Sequence, residues 1–372
     1  MTNKDYSIII IIMIDNDNQY QIINEKGELR KMKKLFYALL AAMVLLLAAC
    51  GSNEEASKEE STDKGAEEET NGAGTEGSSA YPMTVSPTVA STEGNEGGTT
   101  NFEDVKFEKM PEKIAVFDYG FLDTLDALGV EGIVGVAKDS TLPAHLEKYA
   151  SDEYKSVGGL KEPLLEDIAE MDPDVIFISG RQSAFYEELK EIAPVVFVGT
   201  SETDYWNTFQ SSVDLAAKMF DKEAEAEEYM AKYDSALEEI KALAGNYETS
   251  LVTMYNEGKL SGFATNSRFG YIYDIYGFKP VTEDIESSSH GSNFGFEAVL
   301  EFNPQVLFVI DRTAATGGDS NIEADMENDI IKKTDAFKNK RIVYLDGPLW
   351  YLSGGGLQSE LAKIEEVLAE LK

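Results

Sequence analysis

The sequence predicts an α/β protein of two Rossmann-like lobes with parallel-sheet cores, joined by one long, rigid helix. Three observations support this prediction. Short apolar runs alternate with helical patterns, one stretch of the chain occurs twice, and a long amphipathic segment separates the two copies. The globular part, residues 81–372, is longer than one hydrophobic core usually holds, so two lobes are expected.

Six apolar runs are predicted to be buried strands. Each is continuous and is flanked by turn-forming or charged residues, as expected when both faces of a sheet are covered. The runs are 114–118, 175–179, 195–198, 251–255, 306–310 and 341–345.

The repeated stretch is the most informative feature. Residues 165–181 align without gaps to residues 296–312, with an offset of 131 positions. Each copy predicts a short helix ended by Asp-Pro or Asn-Pro, a buried strand, and an arginine just past the strand, Arg181 or Arg312. Open α/β sheets bind ligands at the carboxyl ends of their strands. Each lobe is therefore expected to present an arginine to a ligand cleft between the lobes.

A long helix is predicted between the copies, over residues 222–244, with Asp221 as its N-cap and Gly245 at its end. Apolar residues spaced four and three apart form one stripe along it: Ala226, Met230, Tyr233, Leu237 and Ile240. At 1.5 Å per residue the helix would be about 35 Å long, a strut that restricts hinge motion. The predicted division is an N-terminal lobe over 81–217, a connecting helix over 218–245 and a C-terminal lobe over 246–372.

The composition excludes several classes of function. The chain has 32 Lys and Arg residues against 68 Asp and Glu, a net charge of -36, which disfavours binding to nucleic acid or to anionic lipid through a basic patch. A single cysteine rules out an internal disulfide and a cysteine-based zinc site, and two histidines rule out multi-histidine metal sites. No intrinsic cofactor is expected, and the protein is expected to be a monomer.

The cysteine stands at the end of a predicted signal peptide, residues 32–49. A basic start, Met32-Lys33-Lys34, precedes an apolar run and the sequence Leu47-Ala48-Ala49-Cys50, which resembles a bacterial lipobox. The apolar run is short for a transmembrane anchor, which is the alternative. Cys50 is therefore predicted to carry a lipid on the outer face of the membrane of a bacterium, expected to be Gram-positive.

Two flanking segments complete the N-terminal part. Residues 1–31 do not fit a signal peptide and are interpreted as an upstream extension from a misassigned start codon. Residues 50–80 are predicted to be a disordered tether, because they are acidic and lack large apolar residues.

Arginine is scarce, with five residues against 27 lysines, and three of the five lie in predicted loops: Arg181, Arg268 and Arg312. Each alone could be an ordinary ion-pair partner, but three in one cleft require an anionic ligand. A ferric ion bound by three catecholates carries a charge of −3, which three arginines match, and guanidinium groups stack on aromatic rings. A neutral hydroxamate complex would not need them.

The sequence resembles the ferric-siderophore-binding lipoproteins of ABC importers, especially the catecholate and petrobactin-type branch. The resemblance covers residues 81–372 and the signal peptide. Its markers are Phe117-Asp118-Tyr119-Gly120, Leu122-Asp123-Thr124-Leu125, Ser179-Gly180-Arg181-Gln182-Ser183, Ser267-Arg268-Phe269-Gly270, Val309-Ile310-Asp311-Arg312 and Trp350-Tyr351-Leu352-Ser353-Gly354-Gly355-Gly356.

The resemblance implies a binding protein that delivers a ferric siderophore to an ABC permease. The ligand-binding residues that it implies are Arg181, Arg268, Arg312, His290, Trp350 and Tyr351. His290 and Tyr351 would also bind the iron where the siderophore leaves coordination positions open, although phenolate and imidazole suit Fe(III) only in part. Glu166 and Glu297, equivalent in the repeat, would contact arginines of the permease; otherwise they are ordinary acids at helix starts.

Other functions remain open. A binding lipoprotein for haem, a hydroxamate siderophore or cobalamin is the main alternative, and the three arginines argue against it. A surface enzyme is less favoured, because the sequence has no Gly-x-Ser-x-Gly, P-loop or His-Glu-x-x-His motif. The run Ser353-Gly354-Gly355-Gly356 before the last helix could bind an anion, but a turn leading into the helix is the preferred interpretation.

Overall fold

The computed structural model describes residues 81–93, 98–285 and 291–372, together with three short strands near the N-terminus. The chain divides into two compact units, Met1–Thr75 and Glu76–Lys372. In the first unit, β1 (Ile12–Ile14), β2 (Tyr20–Ile23) and β3 (Leu29–Arg30) pair antiparallel in that order. The predicted signal peptide, Cys50 and the tether up to residue 80 lie outside the described residues. Among the helices that are described, none has the length and apolar character needed to cross a bilayer.

The N-terminal lobe is built on a five-stranded sheet of order β10-β9-β8-β11-β12, in which every neighbouring pair is parallel. Its strands are β8 (Ile114–Val116), β9 (Ile133–Val136), β10 (Lys155–Ser156), β11 (Val175–Ile178) and β12 (Val195–Phe197). Two antiparallel pairs precede it: β4 (Met83–Val85) with β7 (Val105–Phe107), and β5 (Ser91–Glu93) with β6 (Thr99–Asn101). The parallel core predicted for this lobe is confirmed.

Strands β8, β11 and β12 are fully buried, whereas β9 and β10 are partly exposed. The helices of the lobe pack around this sheet. They are α1 (Tyr119–Ala127), α2 (Leu165–Met171), α3 (Tyr186–Lys190) and α4 (Tyr205–Met219), with 3₁₀ turns at Ala144–Ala150 and Gly180–Phe185. Burial on both faces explains why the strands appear in the sequence as continuous apolar runs.

The C-terminal lobe has a mixed sheet of order β15-β14-β13-β16-β17. Its strands are β13 (Ser250–Asn256), β14 (Lys259–Phe263), β15 (Ser292–Phe294), β16 (Val306–Asp311) and β17 (Ile342–Leu345). The predicted parallel pairing holds for β13, β16 and β17, whereas β14 and β15 are antiparallel. The reason is a two-residue turn, Glu257-Gly258, in which both residues have positive φ (49° and 80°), the geometry that joins a tight hairpin.

The remaining helices are the connecting helix α5 (Glu223–Ala244), five short helices of the C-terminal lobe and the last helix. The short ones are α6 (Tyr271–Asp274), α7 (Phe296–Phe302), α8 (Arg312–Ala315), α9 (Ile322–Met326) and α10 (Asp335–Lys338), with a 3₁₀ turn at Ile331–Lys333 and a π-helical turn at Pro348–Leu352. The last helix, α11 (Leu357–Leu371), packs against α5 and against α1 of the N-terminal lobe. Two segments of chain therefore tie the lobes together.

The connecting helix begins later than expected. Its N-cap is Lys222, without a side-chain cap, because Asp221 takes a left-handed conformation with φ 54° and lies outside the helix. The apolar stripe is placed as predicted: Ala226, Tyr233, Leu237 and Ile240 are buried. At 1.5 Å per residue, the observed helix is about 33 Å long.

The repeat seen in the sequence is also a structural repeat. The helices α2 and α7 both end on a left-handed residue, Asp172 (φ 51°, ψ 60°) and Asn303 (φ 46°, ψ 58°). Two residues later, Asp174 accepts a hydrogen bond of 2.8 Å from the N–H of Glu112, and Gln305 accepts one of 2.9 Å from that of Glu248. The same connection thus ties each repeat to the chain just before a central strand of its sheet, β8 or β13.

Candidate functional site

Three arginines converge on Tyr351 where the two lobes meet. Arg181 and Arg268 both donate to the backbone carbonyl of Tyr351, at 3.1 and 2.6 Å. Arg312 donates from Nε to the phenol oxygen of Tyr351 at 3.0 Å. The guanidinium carbons of Arg268 and Arg312 lie 4.2 and 5.5 Å from the centre of the tyrosine ring. The structure thus brings together four of the residues that the sequence singled out.

Strand ends place Arg181 and Arg312. Arg181 lies in the 3₁₀ turn that follows β11, and Arg312 is the first residue of α8, directly after β16. Both positions are at the carboxyl edge of their sheets, where open α/β sheets bind ligands. Arg312 is held further by Asn256, whose amide oxygen accepts from Nη1 at 2.6 Å. The parallel register causes this contact, because Tyr255 pairs with Asp311 and so sets Asn256 beside Arg312.

Arg268 is placed by a loop of the C-terminal lobe rather than by a strand end. The loop between β14 and α6 is closed by two short hydrogen bonds, from the hydroxyl of Ser267 to the carbonyl of Ala264 (2.6 Å) and from the N–H of Gly270 to the carbonyl of Ser267 (2.8 Å). Phe269 anchors it in the core at 1% exposure, and the guanidinium of Arg268 stacks over the Phe269 ring at 5.2 Å.

Tyr351 lies on the π-helical turn Pro348–Leu352, a rare geometry that recurs at functional sites. Its neighbour Trp350 points the other way. The indole is 2% exposed, donates to Glu366 and stacks 6.0 Å from the ring of Tyr271. Trp350 therefore anchors the turn in the core, and the structure does not bring its ring together with the arginines.

The electrostatics of the site favour negative charge. Burial acts to raise the pKa of the Tyr351 phenol, but the charge of Arg268 and the hydrogen bond and charge of Arg312 outweigh it, so this pKa is lowered from its usual value. Burial and the neighbouring charge of Arg268 also lower the pKa of the Arg181 guanidinium. These like charges repel one another, and an anionic ligand would relieve that repulsion.

Two residues that support the arginines were not singled out individually in the sequence. Asp118 is buried, caps α1 by accepting from the N–H of Phe121 at 2.8 Å, and lies near enough to Arg181 to feel its charge. Burial raises the pKa of Asp118 despite the hydrogen bonds and that charge. It lies within a marker motif of the resemblance, whereas Asn256 carries no signal in the sequence, because only strand register places it.

The other predicted residues do not contact the arginines in the described structure. His290 lies outside the described residues. Glu166 and Glu297 are both exposed in the first turns of α2 and α7, the equivalent positions expected from the repeat. Within the described parts of the chain, no group of three or more His, Cys, Asp or Glu side chains is arranged to hold a metal ion.

The sequence of this chain matches a known protein family. The model of the family described as "Periplasmic binding protein" matches residues 114–349. The chain belongs to this family. It is 42% identical over 263 residues to the petrobactin-binding protein YclQ of Bacillus subtilis, a match that covers 70% of this chain and 83% of YclQ.

Solved structures agree with this assignment. The structure of YclQ superposes with a TM-score of 0.71 at 39% identity, over 76% of this chain and 98% of YclQ. The iron uptake ABC transporter substrate-binding protein PiuA of Streptococcus pneumoniae gives 0.69 at 38% identity, over 77% and 100%. The periplasmic catecholate-siderophore-binding protein VctP of Vibrio cholerae gives 0.66 at 32% identity, over 76% and 99%. The predicted family and the two-lobed α/β fold are confirmed.

Proposed function

We propose that this protein captures a ferric siderophore of the catecholate class outside the cell and delivers it to an ABC permease for iron uptake. The observation that carries the proposal is the convergence of Arg181, Arg268 and Arg312, from both lobes, on one residue, Tyr351. The relatives named for petrobactin, for a catecholate siderophore and for iron uptake support it.

The charge of the arginines favours a catecholate over the alternatives. Tyr351 supplies the acceptors for the three guanidinium groups and an aromatic face for Arg268. A ferric triscatecholate offers the same kinds of contact as Tyr351, because it has oxygen acceptors and aromatic rings, and it also carries a charge of −3. A neutral ferric hydroxamate would leave the cationic groups uncompensated, at a cost in binding free energy.

Delivery would use the acids on the outer surface. Glu166 and Glu297 are exposed, stand at equivalent places in the two lobes and have no hydrogen-bond role at the arginine site. One carboxylate on each lobe suits a permease with two similar subunits that present basic residues. A lipid on Cys50 would keep the protein, as a monomer on its acidic tether, near that permease.

The proposal can be tested by direct binding. Intrinsic fluorescence of the lipid-free protein, residues 81–372, should be quenched at low ligand concentration by the ferric complex of a synthetic triscatecholamide, three dihydroxybenzoyl arms on a benzene ring. Trp350 reports on the site because it adjoins Tyr351. Ferric desferrioxamine and haem, titrated in parallel, should bind much more weakly. Equal or tighter binding of either one would overturn the assignment to catecholates.

A further inference from the structure

Beside the segment that follows Tyr351, the last helix carries an ion pair that is completely shielded from water. Lys363 and Glu360 are both 0% exposed, and Lys363 Nζ lies 2.6 Å from Glu360 Oε1. The same ammonium group donates to the carbonyl of Ser353 at 2.7 Å. Glu360 Oε1 also accepts from the N–H of Gly355 at 3.1 Å. Both charged groups therefore form hydrogen bonds to the backbone of the segment Ser353–Gly356, which begins two residues after Tyr351.

The N-terminal lobe holds the same segment from the opposite side. The hydroxyl of Tyr205, on α4, accepts from the N–H of Gly355 at 2.9 Å and donates to Glu360. The carboxylate of Asp123, on α1, accepts from the N–H groups of Gln358 and Ser359 at 3.0 and 2.7 Å. Asp123 thus occupies the N-terminus of α11, which rules out the alternative that this turn binds an anion.

Contact between the segment and the N-terminal lobe is close. A Cβ atom on Gly120 would lie 2.0 Å from the carbonyl oxygen of Gly354, and one on Gly356 would lie 2.1 Å from Asp123 Oδ2. Gly355 has a φ of 76°, which favours glycine. The run of glycines therefore allows the backbone after Tyr351 to reach α1 and to be fixed there.

A buried ion pair is a weak source of stability, because desolvation of two charges offsets their attraction. Apolar residues of similar size would often stabilise a core as well or better. Such a pair does supply strong, directional hydrogen bonds. Here Glu360 Oε1 bonds to Gly355 and Tyr205, and Lys363 Nζ bonds to Ser353. The ion pair therefore fixes the position of the backbone at Ser353 and Gly355.

We propose that Glu360 and Lys363, together with Tyr205, are positioning residues of the ligand site, which hold the backbone of Tyr351 where arginines of both lobes can reach it. The inference rests on the proposed function of that site and deepens it. The carbonyl of Tyr351 accepts hydrogen bonds from Arg181 and Arg268. Such a bond weakens steeply when the donor and the acceptor move apart by up to about 1 Å. Loss of the Glu360–Lys363 ion pair would therefore weaken the hydrogen bonds that orient Arg181 and Arg268.

The experiment replaces the pair by apolar residues of similar length, in the double variant Glu360→Leu/Lys363→Met. We expect its thermal midpoint to stay close to that of the wild type, while ferric triscatecholamide binds about tenfold more weakly or worse, the loss of one charge-assisted hydrogen bond. Tyr205→Phe removes only the hydroxyl and keeps the ring that stacks on Tyr271 at 4.5 Å, so it provides a second test should the double variant fail to fold. Val367→Ala, in the same helix and fully buried, controls for lost packing and should bind as the wild type does.

A purely structural role is distinguished by thermodynamic coupling. The same substitutions are made in an Arg268→Ala background, where one contact to the Tyr351 carbonyl is already absent. A positioning role predicts that these substitutions cost less affinity in the Arg268→Ala background than in the wild type. If the effects are independent, the losses of free energy simply add. Equal losses in the two backgrounds, or wild-type affinity in both the double variant and Tyr205→Phe, would overturn the proposal.

Failure of the proposed function would be recognised separately. Should the wild-type protein not bind ferric triscatecholamide, hydrogen–deuterium exchange of the ligand-free protein still tests the inference. The peptide covering residues 350–356 should exchange faster in the double variant and in Tyr205→Phe than in Val367→Ala. Unchanged exchange in this peptide would rule out the positioning role regardless of the ligand.

Discussion

The guanidinium of Arg268 lies 4.2 Å from the centre of the Tyr351 ring and also donates to the carbonyl oxygen of the same residue at 2.6 Å. One arginine thus contacts both an aromatic face and an oxygen acceptor. A catecholate presents these two groups side by side, so a bound ligand can contact Arg268 through the same kinds of interaction that Tyr351 makes.

The first prediction concerns the three arginines. Arg181→Ala, Arg268→Ala and Arg312→Ala should each weaken binding of a ferric triscatecholate by about 1–3 kcal/mol, the range for hydrogen bonds to charged groups. Arg268→Lys should recover only part of the loss, because lysine cannot fork or stack in the same way. Isothermal titration calorimetry measures the change, and Arg341→Ala is the matched control, since Arg341 stacks on Tyr247 away from the site. Unaltered affinity in all three variants would show that the arginines do not bind the ligand.

The second prediction concerns pH. The arginines hold the pKa of folded Tyr351 below that of an unfolded tyrosine, which is about 10. The resulting stabilisation is complete above the unfolded pKa and is lost as the pH falls through the folded pKa. The free energy of unfolding of the wild type, relative to that of the Tyr351→Phe variant, should therefore rise as the pH increases toward the pKa of an unfolded tyrosine. Arg312→Ala should flatten this difference, as measured by denaturant unfolding at several pH values.

A spectroscopic titration checks the same point independently. Burial first, and then the charge of Glu360, raise the pKa of Tyr205, Tyr271 and Tyr276 well above the usual value. An ultraviolet tyrosinate signal that appears early in the titration and disappears in Tyr351→Phe would therefore belong to Tyr351. A titration curve that Tyr351→Phe leaves unchanged would contradict the lowered pKa.

The third prediction concerns coordination of iron. A tetradentate bis-catecholate leaves two positions on the ferric ion open, and a bound phenolate would give a charge-transfer band in the visible spectrum. Tyr351→Phe should shift this band in the complex with a tetradentate ligand and leave the spectrum with a hexadentate ligand unchanged. His290→Ala is the companion variant for the other predicted donor. If the two proteins give identical spectra with both ligands, Tyr351 does not bind the iron.

The fourth prediction separates delivery from binding. Glu166→Arg combined with Glu297→Arg should abolish growth that depends on the siderophore, while binding in solution stays within about threefold, under 1 kcal/mol. The acids are exposed charges, so docking to the permease should also weaken as salt increases. If they serve only as helix-start residues, the variant loses up to about 1 kcal/mol of stability per site and transports normally. Normal uptake by a stable double variant would exclude docking.

The fifth prediction uses the two left-handed helix ends. Asp172→Gly should leave the free energy of unfolding within about 0.5 kcal/mol, because glycine accepts the conformation and only an exposed pairing with Lys113 is lost. Asn303→Gly should cost about 1 kcal/mol more, since Asn303 Oδ1 also accepts from the N–H of Asp335 at 2.8 Å. Denaturant unfolding of the two variants measures the difference. Equal costs would show that this hydrogen bond does not contribute.

Much of the fold could be predicted because its signals are local. A strand covered on both faces must be continuously apolar, as β11 and β16 are, and the aspartate or asparagine before a proline ends the helix in the same left-handed conformation in both copies. Arg181 and Arg312 could be placed at the carboxyl edge of each sheet, because they follow those strands directly. The antiparallel hairpin of β13 and β14 was not predicted, since it depends on positive φ angles at a single two-residue turn.

The sequence by itself therefore determined the two lobes, the connecting helix, the repeat and the two arginines at the strand ends, each through hydrophobic periodicity or turn chemistry within a short window. Only the tertiary structure decided that Tyr351 is the common partner of the three arginines, that Trp350 faces the core and that Asn256 orients Arg312. It also decided that the last helix returns to the N-terminal lobe with its buried ion pair. The physical reason is range: Tyr351 meets Arg268 and Arg181 across 83 and 170 positions of sequence, and packing between whole elements, rather than any local pattern, sets contacts at such separations.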